Sequence, residues 1–346
     1  MVEDESCQWS SLPSDLIHFI STKLPDLSDR VRLRAVCKTW RSSISISDPS
    51  PRLPWLLTRT YNMDGNEEIL YYSLSSQKTY KIYCPHLKDA SFRGTFGGSI
   101  VFYRYPRSVF LFNPLTRLEI SVSLSPPKYF DAIEVASNPF RKEFAVVLGC
   151  TQDSTCAISF GFIKPDDGLW VIHESGLVNN WCDCVYYEGK YYINEYGAET
   201  RIMSATTGEV VSTIPSPDQT GFNKIECQYM LETCGEILLI YRHKIAGKMK
   251  QYVFDIYRLD EARGDYQWVK IRGIGDRMLF LNSTGGFSVS ASDFPGFRGN
   301  CIYFQAADLP SHNYMLLRQH DLENGTTKIL PNFWGGCGTW IIPNFG

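Results

Sequence analysis

The sequence lacks any long apolar run and any strong excess of charge of one sign. No run approaches the ~20 residues that a membrane-spanning helix needs. The first ten residues, MVEDESCQWS, are acidic and contain no apolar segment, so they do not predict a secretory signal. A net charge of −3 gives no overall attraction to nucleic acid or acidic lipid. We therefore expect neither a membrane nor a nucleic acid as a partner.

The sequence also lacks the motifs of the common catalytic sites. It contains no G-x-S-x-G elbow, Walker loop, H-E-x-x-H helix or dinucleotide-binding glycine fingerprint. The six histidines are dispersed, and none has a cysteine or carboxylate at a spacing that indicates a catalytic triad. These absences predict a protein that is not an enzyme and that holds no cofactor.

Cysteine is present, but without a pattern that organises it. Eleven cysteines, an odd number, are scattered along the chain, which is typical of free thiols in a reducing compartment. The closest pair, Cys182 and Cys184, forms a C-x-C motif, and no second pair stands at the spacing of a zinc site. We expect no metal, buried free thiols, and a location in the cytoplasm, the nucleus or both.

What the sequence does contain, near its start, is a segment with helical periodicity. Pro13 suits the first position of a helix, and Asp15 places a negative charge in the positive first turn. Pro25 ends the run. Between these prolines, four apolar residues fall at helical spacing: Leu16, Ile17, Ile20 and Leu24.

A second apolar stripe follows after a short break, and its spacing predicts one helix. The basic residues that alternate with it favour the solvated side of a helix over a nucleic-acid footprint. A unit of about 40 residues buries too little surface to be more than marginally stable by itself. We therefore expect the stripe to pack on a partner protein or on the rest of the chain. The stripe comprises Leu33, Val36, Cys37, Trp40 and Ile44, and the basic set comprises Arg30, Arg32, Arg34, Lys38 and Arg41.

Residues 45–54 are rich in proline and serine and predict a linker. From Trp55 onward, aromatic residues are dense and apolar residues alternate with polar ones, which is typical of strands. Turn residues divide this part into six predicted hairpins. The paired strands are 69–74 with 79–82, 109–112 with 118–120, 158–162 with 169–172, 201–204 with 210–212, 254–257 with 268–271, and 315–317 with 327–330.

The hairpins recur at intervals of roughly 40–60 residues, the scale of one propeller blade. A propeller closes such units into a ring and leaves only short edges. We therefore predict that Trp55–Thr60 lies beside Trp340–Ile342, because ring closure removes edges that would promote aggregation. A β-sandwich or two unrelated β domains is the alternative.

The helical segment resembles the F-box, a three-helix module that docks on the Skp adaptor of cullin-based SCF ubiquitin ligases. The resemblance covers the whole module, which we bound at residues 8–44. It implies that nine residues divide between the adaptor interface and the small core of the module: Leu12, Pro13, Leu16, Ile17, Ile20, Leu24, Val36, Cys37 and Trp40. The matching positions also include Asp15, Arg34, Lys38 and Arg41.

The β part, residues 55–346, resembles the plant F-box proteins whose C-terminal half is a kelch-like domain of unassigned function. The resemblance rests on three segments, 51–57, 111–116 and 321–325, and on an aromatic strand at 338–343. Kelch blades carry a Gly-Gly pair each, whereas Gly97-Gly98, Gly285-Gly286 and Gly335-Gly336 are irregularly placed.

Together these observations predict an α+β multidomain protein, with a small three-helix F-box followed by an all-β, propeller-like domain. The resemblance implies a non-catalytic substrate receptor of an SCF-type ligase, which binds a Skp-type adaptor, through it a cullin-RING ligase, and an unknown target protein. The alternative is a propeller enzyme or carbohydrate-binding module with an unrelated helical cap.

Overall fold

The structure is a computed structural model. It describes residues 9–24, 27–45, 52–61, 67–82, 84, 90–96, 98–104, 108–123, 132–137, 144–152, 155–163, 170–174, 182–195, 199–217, 225–245, 251–262, 265–282, 285–307, 315–333 and 335–343. Most of the predicted linker, residues 46–51, lies outside this part of the chain.

Residues 9–45, here called the helical module, fold into a short 3₁₀ turn and three helices. The first helix begins one residue after Pro13, whose φ of −56° and ψ of 142° place it at the N-cap rather than inside the helix. Asp15 lies in the first turn, as predicted. The helix ends at Thr22, before Pro25 is reached. The helices are α1 (Ser14–Thr22), α2 (Leu27–Ala35) and α3 (Lys38–Ser43).

The prediction of one continuous helix for the second stripe is wrong. The helix breaks at Val36 and Cys37, and Cys37 has an extended backbone with φ −157° and ψ 173°. Its Sγ accepts a hydrogen bond from the backbone N–H of Trp40 at 3.5 Å, so that Cys37 caps α3. A side chain that accepts from an otherwise unpaired N–H of the first turn stabilises a new helix start.

The rest of the described chain is built from strands in six sheets, here called blades 1 to 6. Blades 1 to 3 come first in the sequence. Blade 1 contains β1 (Trp55–Tyr61), β2 (Glu67–Ser73), β3 (Lys78–Ile82) and the later β25 (Gly338–Ile341); blade 2 contains β4 (Ser91–Phe96), β5 (Ser99–Arg104), β6 (Ser108–Phe112) and β7 (Glu119–Ser123); blade 3 contains β8 (Ala132–Ser137), β9 (Phe144–Gln152), β10 (Thr155–Ile163) and β11 (Trp170–Glu174).

Blades 4 to 6 complete the set. In blade 6, β20 pairs with β21 in antiparallel fashion and with β22 in parallel fashion, which gives that sheet five strands. Blade 4 contains β12 (Cys182–Tyr187), β13 (Lys190–Glu195), β14 (Glu199–Ser204) and β15 (Val210–Pro215); blade 5 contains β16 (Ile225–Thr233), β17 (Glu236–Lys244), β18 (Tyr252–Ala262) and β19 (Asp265–Ile271); blade 6 contains β20 (Arg277–Asn282), β21 (Gly285–Ser290), β22 (Cys301–Ala307), β23 (Met315–Asp321) and β24 (Thr326–Ile329).

The blades form a closed ring through the strands at one end of each sheet. β25 contacts β4, β4 contacts β8, β8 contacts β12, β12 contacts β16, β16 contacts β21, and β20 returns to β25. The predicted closure is confirmed, because β25 pairs with β1 in the register Trp55↔Ile341, Leu56↔Trp340, Leu57↔Thr339 and Thr58↔Gly338. This is the architecture of a β-propeller.

The six predicted hairpins are confirmed as the two outer strands of the six blades. Their turns use side chains that replace backbone hydrogen bonds. Asn113 Oδ1 accepts from the N–H groups of Leu115 and Thr116, and Asp321 Oδ1 accepts from those of Glu323 and Asn324. The predicted turns around 165–168 and 263–264 lie outside the described residues.

Aromatic side chains fill the wedges between blades. Between blades 1 and 6, Trp340 is fully buried and meets Phe280 edge-on at 4.9 Å between ring centroids. Tyr303 stacks on Phe280 at 4.8 Å, and Tyr72 meets Phe333 edge-on at 5.7 Å. Such edge-on and offset contacts suit the ring quadrupoles, so the closing strand is fixed by packing as well as by its ladder.

The strand registers define the face of the propeller on which the helical module enters. Trp55, the first residue of β1, lies opposite Ile341 and Ser73. The β2–β3 turn therefore lies on the same face, here called the linker face. Arg52 Nη1 donates to the carbonyl of Pro343 at 3.1 Å and joins the end of the linker to the segment after β25.

Candidate functional site

The helix α1 carries apolar side chains on a buried face and on an exposed face. Its inner face is defined by Ile17, which is 1% exposed, and by Ser21, which is buried and donates from its hydroxyl to the His18 carbonyl at 2.7 Å. Ile17 belongs to a small core with Trp40 and Ile44, against which Leu12, Leu33 and Cys37 pack. This face holds the module together.

The outer face of α1 presents Leu16, Phe19 and Ile20, which we call the α1 stripe. Their exposed fractions are 47%, 58% and 40%. The spacing i, i+3, i+4 places them side by side on one surface of the helix. The Lys23 ammonium lies 5.1 Å from the centroid of the Phe19 ring. A contiguous exposed apolar surface is a common feature of interaction sites, so the α1 stripe is the candidate site of the module.

The structure divides the nine predicted residues into three groups. Pro13, Leu16, Ile20 and Val36 are exposed, whereas Ile17 and Trp40 are buried. Leu12, Leu24 and Cys37 are half-buried. Phe19 of the α1 stripe was missed by the sequence analysis, although its place three residues after Leu16 could have indicated it.

Two hydrogen-bond systems hold the ends of the module. Trp40 Nε1 donates to the carbonyl of Trp9 at 3.1 Å, which ties α3 to the segment before α1. Arg34 Nη1 donates to the carbonyl of Arg41 at 2.9 Å and also to that of Ile44. The last carbonyls of a helix have no hydrogen-bond partner within it. Arg34, which lies on α2, supplies the donor for these carbonyls at the end of α3.

The sequence analysis placed Arg30 on a solvated basic face. That prediction is wrong, because Arg30 is buried. Arg34 is half-buried and engaged with carbonyls, as described above. Arg32 is exposed and pairs with Asp29, Nη1 to Oδ1 2.6 Å. The remaining cations, Lys38 and Arg41, are exposed on α3. The module therefore lacks a continuous cationic surface over its described residues.

A buried arginine in the propeller, Arg242, has the contacts of a structural group. Its guanidinium donates to Glu226 Oε2 at 3.2 Å, to the carbonyl of Gln305 at 2.9 Å and to Cys227 Sγ at 2.8 Å. The guanidinium carbon also lies between 5.2 and 5.7 Å from the rings of Tyr229, Tyr252 and Phe304. A buried charge with this many partners joins blades 5 and 6 and stabilises the wedge between them.

The described residues contain no group of three or more His, Cys, Asp or Glu that could hold a metal ion. Cys184 is buried and is not part of a disulfide, while the side chain of Cys182, the other half of the C-x-C motif, lies outside the described part of the chain. None of the helices that the structure describes is both long and apolar enough to cross a membrane.

The class of protein follows from these two parts: a helical F-box module joined to a β-propeller. A model of the F-box domain matches residues 9–50, and a model described as the KIB1-4 beta-propeller matches residues 71–326. The second match spans well over half of the chain, and the chain belongs to the KIB1-4 beta-propeller family.

Two relatives from the same plant align with most of this chain. The F-box protein SKIP23 of Arabidopsis thaliana is 23% identical, over 91% of this chain and 88% of its own. The F-box/kelch-repeat protein At2g24250 of the same plant is 22% identical, over 86% of this chain and 82% of its own. The solved structure of an oligogalacturonate lyase in complex with manganese is 10% identical. It covers 77% of this chain and 71% of its own, with a TM-score of 0.45. A likeness as distant as the last carries no argument about activity.

Proposed function

We propose that this protein is a substrate receptor of an SCF-type ubiquitin ligase and that its helical module binds a Skp-type adaptor. The observation that carries the proposal is the α1 stripe, an exposed apolar surface on a module that matches the F-box domain. Large apolar side chains at helical spacing are the usual anchors of a helix that docks into a partner.

The burial of each predicted residue assigns its part in the proposal. Leu16, Phe19 and Ile20 would enter the interface together with Pro13 and Val36, since all five are exposed. Ile17 and Trp40 would act indirectly, by holding α1 and α3 in place. The half-buried residues Leu12, Leu24 and Cys37 would contribute to both the interface and the core.

The energy available from the α1 stripe suits a specific complex. Full burial of a Leu, Ile or Phe side chain contributes about 1.5–3 kcal/mol. The three residues are roughly half exposed, so completing their burial supplies about half of that range per residue. Each ~1.4 kcal/mol changes an affinity tenfold, so the stripe accounts for two to three orders of magnitude in affinity.

In this proposal the propeller recruits the target protein and carries out no chemistry. Its contribution is to raise the effective concentration of the target at a ubiquitin-charged enzyme held by a cullin-RING ligase. The free thiols of the described residues favour a cytoplasmic or nuclear site of action. No cofactor, membrane or nucleic acid takes part.

The test is adaptor binding by the variant Leu16→Ala/Ile20→Ala, measured by calorimetry with a plant Skp-type adaptor and the full chain. We expect affinity to fall at least tenfold. The matched control is Leu118→Ala/Ile120→Ala, which removes two equally exposed apolar side chains from blade 2. Unchanged affinity of the α1 variant, or an equal loss in the control, would contradict the proposal.

A further inference from the structure

A cleft of about 540 Å³ lies between blades 1 and 6 and opens on the linker face. One wall is the β2–β3 turn with the end of β2, and the other is built from β22, β23, β24 and the segment 295–298. The volume lies within the range of small-molecule sites in proteins. None of the lining residues belongs to the helical module, so the cleft is separate from the α1 stripe.

The apolar part of the cleft is rigid because it continues the packed core of the wedge. Leu74, Leu330 and Phe297 line the cleft and belong to or pack against the core cluster around Trp340. The ring of Tyr72 is fixed by its hydroxyl, which donates to the carbonyl of Pro331 at 2.9 Å. Burial raises the pKa of Tyr72 to about 12, so this hydroxyl keeps its proton. The cleft therefore needs no rearrangement to accept an apolar body.

Tyr303 supplies a polar atom that the protein leaves unused. The residue lines the cleft and is only 3% exposed, and among the described residues its hydroxyl has no hydrogen-bond partner. Its ring is held by the stacking on Phe280 and by an edge-on contact with Trp340 at 6.4 Å. Burial raises its pKa, so the hydroxyl is a neutral donor. Because Tyr303 lines the cleft, its hydroxyl can donate a hydrogen bond to an acceptor atom of a ligand held there.

Of the two cationic side chains that line the cleft, Arg298 is ion-paired and Lys328 can face a ligand. Arg298 is engaged, with Nη2 at 3.1 Å from Glu323 Oε2 and Nη1 at 4.0 Å from Asp321 Oδ2. The carboxylate of Asp321 also accepts from the N–H groups of Glu323 and Asn324. Lys328 is exposed on β24 and forms no ion pair within the described part of the chain. The unused charge at the cleft is thus positive.

We propose that this cleft binds a small organic anion with an aromatic or aliphatic body. The body would pack against Phe297, Leu74 and Leu330. The Tyr303 hydroxyl would donate a hydrogen bond to an acceptor atom of the ligand, and the acid group would face Lys328. Complementarity of this kind selects for an anion, because a neutral analogue leaves Lys328 without a partner and a cation is repelled by it.

The test uses the full chain and the fluorescent probe 8-anilinonaphthalene-1-sulfonate, an aromatic anion. We expect saturable binding at one site, and displacement by phenylacetate but not by the neutral phenylacetamide. Lys328→Gln should weaken probe binding about tenfold, and Tyr303→Phe, which keeps the ring, should weaken binding of phenylacetate several-fold. Thermal unfolding of each variant checks that the propeller is intact.

Matched controls separate the cleft from general effects of charge and burial. Lys244→Gln removes an exposed lysine from β17, and Tyr192→Phe removes a buried hydroxyl from blade 4. Neither should change binding. Absence of a saturable site, equal displacement by phenylacetamide, or equal effects of Lys328→Gln and Lys244→Gln would each overturn the proposal. None of these outcomes bears on adaptor binding, which is measured separately.

Discussion

The guanidinium carbon of Arg32 lies 5.7 Å from the centroid of the Tyr80 ring, so that α2 of the F-box meets the outer strand of blade 1. Tyr80 in turn stacks on Tyr71 at 5.0 Å, and Tyr71 stacks on Trp55 at 4.0 Å. A column of three rings therefore runs across β1, β2 and β3 and ends under a cation of the F-box. We expect this contact to orient the α1 stripe relative to the propeller.

Replacing Arg32 with alanine should loosen the F-box from the propeller without unfolding either part. The contact is solvent-exposed, and exposed cation–π pairs are weak. We expect a larger radius of gyration in small-angle scattering, with an unchanged melting temperature. Arg41→Ala, which removes an exposed arginine from α3, serves as the control. Identical radii of gyration for the two variants would show that Arg32 does not orient the F-box.

Ile17→Ala should unfold the F-box, whereas Leu16→Ala should leave it folded. Ile17 is buried against Trp40 and Ile44, and truncating a buried isoleucine to alanine costs about 2–5 kcal/mol. That is a large share of the stability of a unit this small. Amide hydrogen exchange across α1 in the full chain should rise sharply for Ile17→Ala and little for Leu16→Ala. Similar protection in both variants would mean that Ile17 is not part of a core.

Gly338→Ala should destabilise the propeller by about 1–3 kcal/mol, because the new methyl group has no room. A Cβ at Gly338 would lie 2.4 Å from the carbonyl oxygen of Leu57, inside the β1–β25 ladder. Gly336→Ala is the matched control, since its Cβ would be no closer than 3.8 Å to Arg59. Urea denaturation measures the stability of both variants. Equal midpoints would contradict the register in which β25 pairs with β1.

Acidification should weaken the propeller through His320. Burial lowers the pKa of this histidine from 6.5 to about 4, and its Nδ1 lies 2.8 Å from Thr327 Oγ1. Between these two pH values the unfolded chain binds a proton that the folded state excludes, so stability falls as the pH drops from 6.5 towards 4. Over this pH window the free energy of unfolding falls by about 3 kcal/mol.

The variant His320→Gln isolates this contribution, because glutamine does not titrate. Urea midpoints measured at pH 7, 6, 5 and 4.5 should decline less steeply for His320→Gln than for the unmodified protein. Parallel declines would show that another group is responsible for the acid sensitivity.

The sequence supported prediction of the outer hairpins because they depend on local signals. Asn113 and Asp321 form turns with their own neighbours, and alternating apolar residues define the strands on either side. The closure of β1 with β25 followed from a general physical requirement that open sheet edges be covered. Neither inference needed knowledge of distant contacts.

Other features could not be predicted, because they depend on tertiary packing. The helix break at Cys37 is hidden by apolar spacing that continues across it, and cysteine is not among the usual capping residues. The adjacent residues Leu16 and Ile17 differ in burial because only Ile17 faces the core that it forms with Trp40 and Ile44. The cleft and the unused hydroxyl of Tyr303 require two blades to meet, which no local pattern encodes.

The pairing of Trp55 with Ile341 also bears on how the protein is made. A ribosome adds about 5–20 residues per second, so β1 would wait on the order of tens of seconds for its inner neighbour to emerge. During that interval the F-box is already complete and could engage a partner, while blade 1 still exposes an unpaired strand. A premature stop before β25 would therefore yield a propeller whose ring cannot close, because β1 would keep one unpaired edge.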